Sequence, residues 1–186
     1  MSGAAVSERW RVHLPTALET RVRAVSRAGP RDPWPSARAL DALLAAGAER
    51  DGPPRTAGAG AGRPLIAAQR VRWVGLELEV ECVAMTEALV ECNLIAPPWD
   101  ELTGGAEGED AWWDLADSFL AAVDARHGAL VDGEAVELDD PTPATVRASL
   151  LRHLGLLVPE WLAGSAGAAA DAYLTLPRSG LVVLLR

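Results

Sequence analysis

VGLELEVECVA (residues 74–84) followed by ALVECNL (88–94) is the stretch that decides the fold. In the first run the even positions Val74, Leu76, Leu78, Val80, Cys82 and Ala84 are apolar, and Glu77, Glu79 and Glu81 stand between them. The second repeats the pattern with Ala88, Val90, Cys92 and Leu94. Strand side chains alternate between faces, so each run buries one face and wets the other. A turn centred on Glu87 pairs residues whose numbers sum to 174 and sets Cys82 opposite Cys92. A slip of one residue would drive every glutamate into the core, so the register is strongly specified.

Working outward, the downstream segment 111–126 carries Trp112, Leu115, Ala116, Phe119, Leu120 and Val123 at helical spacing, with Asp110 as N-cap. Gly128 is expected to end this helix, and His127 to sit at its negative end. Residues 129–138 read as a short hairpin on the Asp132-Gly133 turn. Thr142 and Pro143 then open a helix through Val146, Leu150 and Leu154, which Gly155 stops. Residues 173–186 read as two strands around a Pro177–Gly180 turn. Upstream, 10–14 reads as a short strand. Thr16 and Glu19 have capping-box spacing, with Leu18, Val22 and Val25 on one helical face. A second helix is expected from Ser36 to Ala48, burying Leu40, Leu43 and Leu44. The whole reads as an α+β domain: an antiparallel sheet of hairpins with helices on one face in two layers, and two extra N-terminal helices. Residues 1–9 read as a flexible tail, 10–186 as one domain, and the Gly/Pro-rich 49–64 as a flexible loop.

Composition narrows the chemistry. The chain has 186 residues and, with 49% apolar content, enough to fill a core. No run approaches the ~20 apolar residues that cross a bilayer, and residues 1–9 lack a signal-peptide pattern, so a cytoplasmic location is expected. All 17 basic residues are arginine. Without lysine there is no Schiff base, no pyridoxal-phosphate anchor and no P-loop lysine. The two cysteines make no disulfide framework and read as buried thiols. His13, His127 and His153 show no metal-ligand spacing, and Ser165 lacks the glycine two residues before it that a nucleophile elbow needs. No cofactor and no metal are expected.

Charge is uneven. Residues 1–72 hold 12 arginines against 6 acids, and residues 73–186 hold 5 against 20, for the net charge of −9. Such a field repels phosphate, so nucleic-acid binding is not expected. Either the acidic half is a recognition surface, or the basic half neutralises it internally. The preferred reading is a non-catalytic binding domain, an immunity protein or an accessory subunit, that recognises a basic protein or peptide. The expected contacts are Glu77, Glu79, Glu81 and Glu91 on the strand face, Trp99, Asp100 and Glu101 in the acidic loop 97–110, and Trp113, which lies off the helix's apolar stripe. Two alternatives stand beside it. One is a small enzyme whose histidines meet the carboxylates of residues 100–110. The other is a homodimer paired through an open edge of the LVVLL strand, 181–185.

Overall fold

The computed structural model describes residues 14–27, 34–58, 65–104, 106–133, 138–169 and 171–185. The hairpin stands as its pattern dictates. β5 (Leu76–Ala84) and β6 (Leu89–Ala96) pair antiparallel with Cys82 opposite Cys92 and Val80 opposite Leu94. Val74 does not continue this face. It forms with Gly75 the two-residue turn from β4 (Ile66–Trp73), and it is exposed. Both turn residues have positive φ, 44° and 86°, which is what the right-handed twist of a tight hairpin asks of them.

The sheet grows to ten strands, all its pairs antiparallel. On the far side of β6 lies β1 (Thr20–Arg27), then β7 (Ala125–Asp132), β8 (Gly155–Pro159), β10 (Leu181–Leu185) and β9 (Asp171–Leu176). On the near side β4 pairs with two short strands, β2 (Glu49–Arg50) and β3 (Arg55–Ala57). Residues 49–57 are therefore an interrupted edge strand rather than the start of a loop. The break falls at Gly52-Pro53-Pro54, where two residues in a row lack the N–H that a ladder needs.

The first expected helix is a strand. Leu18, Val22 and Val25 fit helical spacing, but Thr20, Val22 and Ala24 occupy one face of β1 and Val25 the other. β1 runs between β6 and β7, with nearly every position buried, and tertiary pairing overrides the local spacing. The capping-box residues serve elsewhere. Thr16 Oγ1 accepts the Trp99 N–H at 2.6 Å, and Glu19 takes the Arg21 Nε–H at 2.8 Å. The second helix forms as α1 (Pro35–Ala45), with Leu43 buried and Leu40 packed on the core. Of the expected strand at 10–14 only Leu14 lies among the described residues, and the expected tail 1–9 lies outside them.

The strongest helix, α3 (Ala106–Ala122), starts and ends earlier than its stripe suggests. Asp124, at φ 53°, turns the chain out of the helix, and β7 begins at once. His127 and Gly128 are thus strand residues, not a helix terminus. Gly128 is required for another reason: a Cβ there would sit 2.2 Å from the Arg23 carbonyl oxygen of β1. β7 pairs with β1 and β8 rather than folding back at Asp132-Gly133; residues 134–137 of that expected hairpin lie outside the described ones.

Helices cover both faces, not one. α1, α2 (Trp99–Thr103) and α3 pack on one face around Leu78, Val80, Leu94, Trp112 and Phe119. α4 (Val146–Arg152) and α5 (Glu160–Ala163) cover the opposite face over β7, β8 and β10, with Val146, Leu150 and Leu162 clustered with Ala129, Leu156 and Val182, and with Val25 of β1 in the same cluster. Strands 7, 8 and 10 are therefore apolar on both sides, and lose the alternation that marks a half-wet strand. Thr142 does cap the turn into α4, its Oγ1 accepting the Thr145 N–H at 3.2 Å. The C-terminal hairpin forms as expected, but β10 has β8 on one side and β9 on the other. The LVVLL strand offers no open edge.

Candidate functional site

Over β4, β5, β6 and β1 the face opposite α1 and α3 carries the strand glutamates. The sheet register sets Arg72 opposite Glu77 and Arg70 opposite Glu79. Arg55 of β3 reaches Glu79 Oε2 at 2.5 Å. Arg23 of β1 grips Glu91 with two bonds, Nε to Oε1 at 3.1 Å and Nη2 to Oε2 at 2.5 Å, and both side chains are largely buried. Asn93 donates to Glu81 Oε1 at 3.3 Å and to Glu91 Oε1 at 3.1 Å. Two of the four glutamates, Glu79 and Glu91, thus hold ion pairs to arginines from the basic first 72 residues, while Arg72, opposite Glu77, lies 3.8 Å from Asp51. The internal neutralisation that the sequence left open is met on this face at Glu79 and Glu91. The exposed Arg55 pair contributes little, while the desolvated, bidentate Arg23–Glu91 pair fixes β1 against β6.

Trp99 and Trp113 are not surface residues. They are 2% and 3% exposed, with ring centroids 5.8 Å apart at 52°. Because α2 folds back on α3 and α1 packs beside it, α3 has a second buried side. Trp112 and Trp113, about 100° apart round the helix, both lie in the core, and Trp113 meets Trp99 of α2. The expectation of an off-stripe, partner-facing tryptophan treated the sheet as the helix's only neighbour. Among the described tryptophans, Trp161 of α5, 71% exposed, is the one open to contact.

Asp100 and Glu101 are exposed at the start of α2. They belong to a larger acidic layer. Residues 99–122 contain seven acids and no arginine. Asp110 and Asp114, one helical turn apart on α3, are also exposed. Asp117, 1% exposed, is spent on structure: its two oxygens accept the Arg178 and Ser179 N–H groups at 2.9 Å each and hold the β9–β10 turn. Arg178 reaches Asp114 at 2.6 Å. The acidic loop 97–110 supplied Asp100 and Glu101 as expected contacts, and α3 carries the acidic run on to Asp114 and Asp117.

Among the described residues, the histidines do not converge on those carboxylates. His127 is buried, with Nδ1 3.2 Å from Asp140 Oδ1, and burial, opposed by Asp140, holds its pKa below the ordinary 6.5. His153 is 3% exposed and both ring nitrogens lack a hydrogen-bond partner. Its pKa is lowered by burial first, then by the Arg152 and Arg23 charges. His13 lies outside the described residues. Cys82 and Cys92 are fully buried free thiols 3.3 Å apart. Among the described residues no three His, Cys, Asp or Glu cluster to hold a metal ion, and no helix is long and apolar enough to cross a membrane.

Comparison with family models, curated proteins and solved structures finds no match.

Proposed function

We propose that this chain is a non-catalytic binding domain that recognises a basic protein or peptide, and that its contact surface is the acidic layer of α2 and α3. The observation that carries the reading is a contrast between two acidic regions. Glu79 and Glu91 are ion-paired to Arg55 and Arg23, and Glu81 accepts from Asn93, on their own sheet face. Residues 99–122 hold seven acids and no arginine of their own; Asp114 meets Arg178 of the β9–β10 turn, and Glu101 is exposed at the start of α2. Arginine or lysine side chains of a partner would complete this layer. Long-range attraction to a chain of net charge −9 would raise the association rate and make it salt-dependent.

The test compares two charge reversals in capture from a host lysate, read by mass spectrometry at low and high salt. A basic protein retained by the wild type and by Glu77→Arg, released by salt, and lost from the double variant Glu101→Arg/Asp114→Arg supports the reading. Equal loss from both variants, or retention by both, counts against it.

A further inference from the structure

Cys82 and Cys92 are the only cysteines of the chain, and the hairpin sets them directly against each other. The backbone bonds around them fix what kind of pair they form. Met85 donates to the Leu89 carbonyl at 3.0 Å, so these two are a hydrogen-bonded pair at the end of the β5–β6 ladder. Ala84 donates to the Leu65 carbonyl at 2.8 Å, so the even positions of β5 turn their backbone groups toward β4. Bonded and non-bonded pairs alternate along an antiparallel ladder, which makes Cys82 and Cys92 a non-hydrogen-bonded pair. That is the closer of the two pair types, with Cα atoms about 4.5 Å apart, inside the roughly 4.4–6.8 Å that a disulfide spans.

The surroundings suit the bond and restrict when it can form. The two Sγ atoms lie 3.3 Å apart. In the same row across the sheet stand Ala67 of β4 and Ala24 of β1, so the side chains flanking the pair are small and leave the sulfurs room to close on each other. Both thiols are fully buried, on interior strands of the sheet. Exchange with a dissolved disulfide needs a thiolate and a path to its sulfur. The folded chain offers neither, since the hydrogen bond to Cys92 and then burial keep the Cys82 thiol protonated. A chain whose hairpin is not yet covered offers both.

We infer that Cys82 and Cys92 are a disulfide site that is set while the chain folds and sealed once it has folded. A chain that folds with a low-molecular-weight disulfide present acquires the bond; a chain that folds without one keeps both thiols when it later meets the same oxidant. With oxidised glutathione, the thiolate of one cysteine attacks the glutathione S–S bond and releases one glutathione. The other cysteine then attacks the protein sulfur of the mixed disulfide and releases the second. One S–S bond breaks and one forms, and the two electrons and two protons that the protein gives up leave with the two glutathione thiols. The site is independent of the acidic layer.

The test unfolds the reduced full chain in urea, refolds it by dilution into oxidised glutathione, and compares it with reduced, folded chain held in the same final buffer. Intact mass and a thiol count in urea, both after an acid quench, read the outcome. Refolding is expected to give a monomer lighter by two hydrogens and without free thiols, while the folded chain keeps both. The crosslink closes a short loop in the unfolded chain, so the crosslinked form is expected to have a folding equilibrium constant higher by about tenfold or more, read as a raised urea midpoint. Reducing it in urea and refolding it without oxidant returns the midpoint to that of the dithiol form, a control that needs no substitution. A refolded chain that keeps its thiols, or that ends in glutathione adducts or intermolecular dimers, overturns the inference. So does a folded chain that crosslinks as fast as the refolding one, or a crosslinked chain no more resistant to urea than the dithiol form.

Discussion

Asp132, at the end of β7, accepts three backbone N–H groups from a segment more than a hundred residues away. Oδ2 takes Ala17 at 2.8 Å, and Oδ1 takes Leu18 at 2.9 Å and Glu19 at 3.1 Å. The carboxylate thus does for the lead-in to β1 what an N-cap does for a helix. Removing such an acceptor costs ~0.5–2 kcal/mol. Three charge-assisted bonds push Asp132→Ala toward the top of that range, and the openness of two of them to water holds it at about 1.5 kcal/mol. Asp132→Asn keeps one oxygen for Leu18 and Glu19 but turns an amide NH₂ on the Ala17 N–H, so about half the loss is expected. In a chain of this length, Asp132→Ala lowers Tm by roughly 3–6 °C at pH 7. The hydrogen bond from Ala17, and those from Glu19 and Leu18, hold the Asp132 pKa below its ordinary 3.8 against the opposing effect of burial. Its folded value is therefore the lower one. The stabilisation is complete above pH 3.8 and is lost as the pH falls through the folded value, so wild type and Asp132→Ala converge in acid. Urea denaturation of the three proteins at neutral and acid pH measures this, and amide exchange at 17–19 localises it. An Asn variant as damaging as Ala, or a difference unchanged between pH 7 and pH 3, refutes the reasoning.

Three further outcomes follow from the packing. Gly128→Ala places a Cβ 2.2 Å from the Arg23 carbonyl and 3.0 Å from Leu157 Cδ1. β1 and β7 must separate at the centre of the sheet, which costs about 3 kcal/mol, read as a fall in the urea midpoint. His127 and His153 have pKa values lowered by burial, so the unfolded chain takes up their protons first as pH falls below 6.5. Stability is full above that value and declines below it, and His153→Leu, which removes two unpartnered ring nitrogens, flattens the decline in a Tm series from pH 7 to 5. The Cys82 thiol is pushed far up by its hydrogen bond to Cys92 and by burial, so neither cysteine is expected to react with a thiol reagent until urea unfolds the chain.

What the sequence made legible depends on how many faces each segment buries. β5 and β6 have one packed face and one charged face, so period two survives in the residue order and even the Cys82–Cys92 register can be read from it. β7, β8 and β10 are apolar on both sides, and β1 is buried on both, its Arg23 included, so the alternation vanishes. In β1 what remained was the accidental helical spacing of Leu18, Val22 and Val25. In β7 it was a His-Gly that resembles a helix end. A central strand in a three-layer region therefore looks like nothing in particular, and the second helical layer, which creates that condition, was the layer the sequence reading missed.

The same logic separates the two acidic regions. Glu91 and its partner Arg23 lie 68 residues apart, and Glu79 and Arg55 lie 24 apart. Local composition shows the acid without its counter-charge, and overstates the charge of any strand that sheet pairing will later neutralise. A helix does not hide its partners in this way, because its charge neighbours are three and four residues along the same segment. In residues 99–122 those positions hold acids and no arginine, so the absence of local compensation is already visible in the order of residues. The one cation that the fold brings to Asp114, Arg178, arrives from the β9–β10 turn, and it leaves Glu101 of the same layer exposed. Under the proposed function it is this helical run, rather than the glutamate-striped strand, that a basic partner would meet.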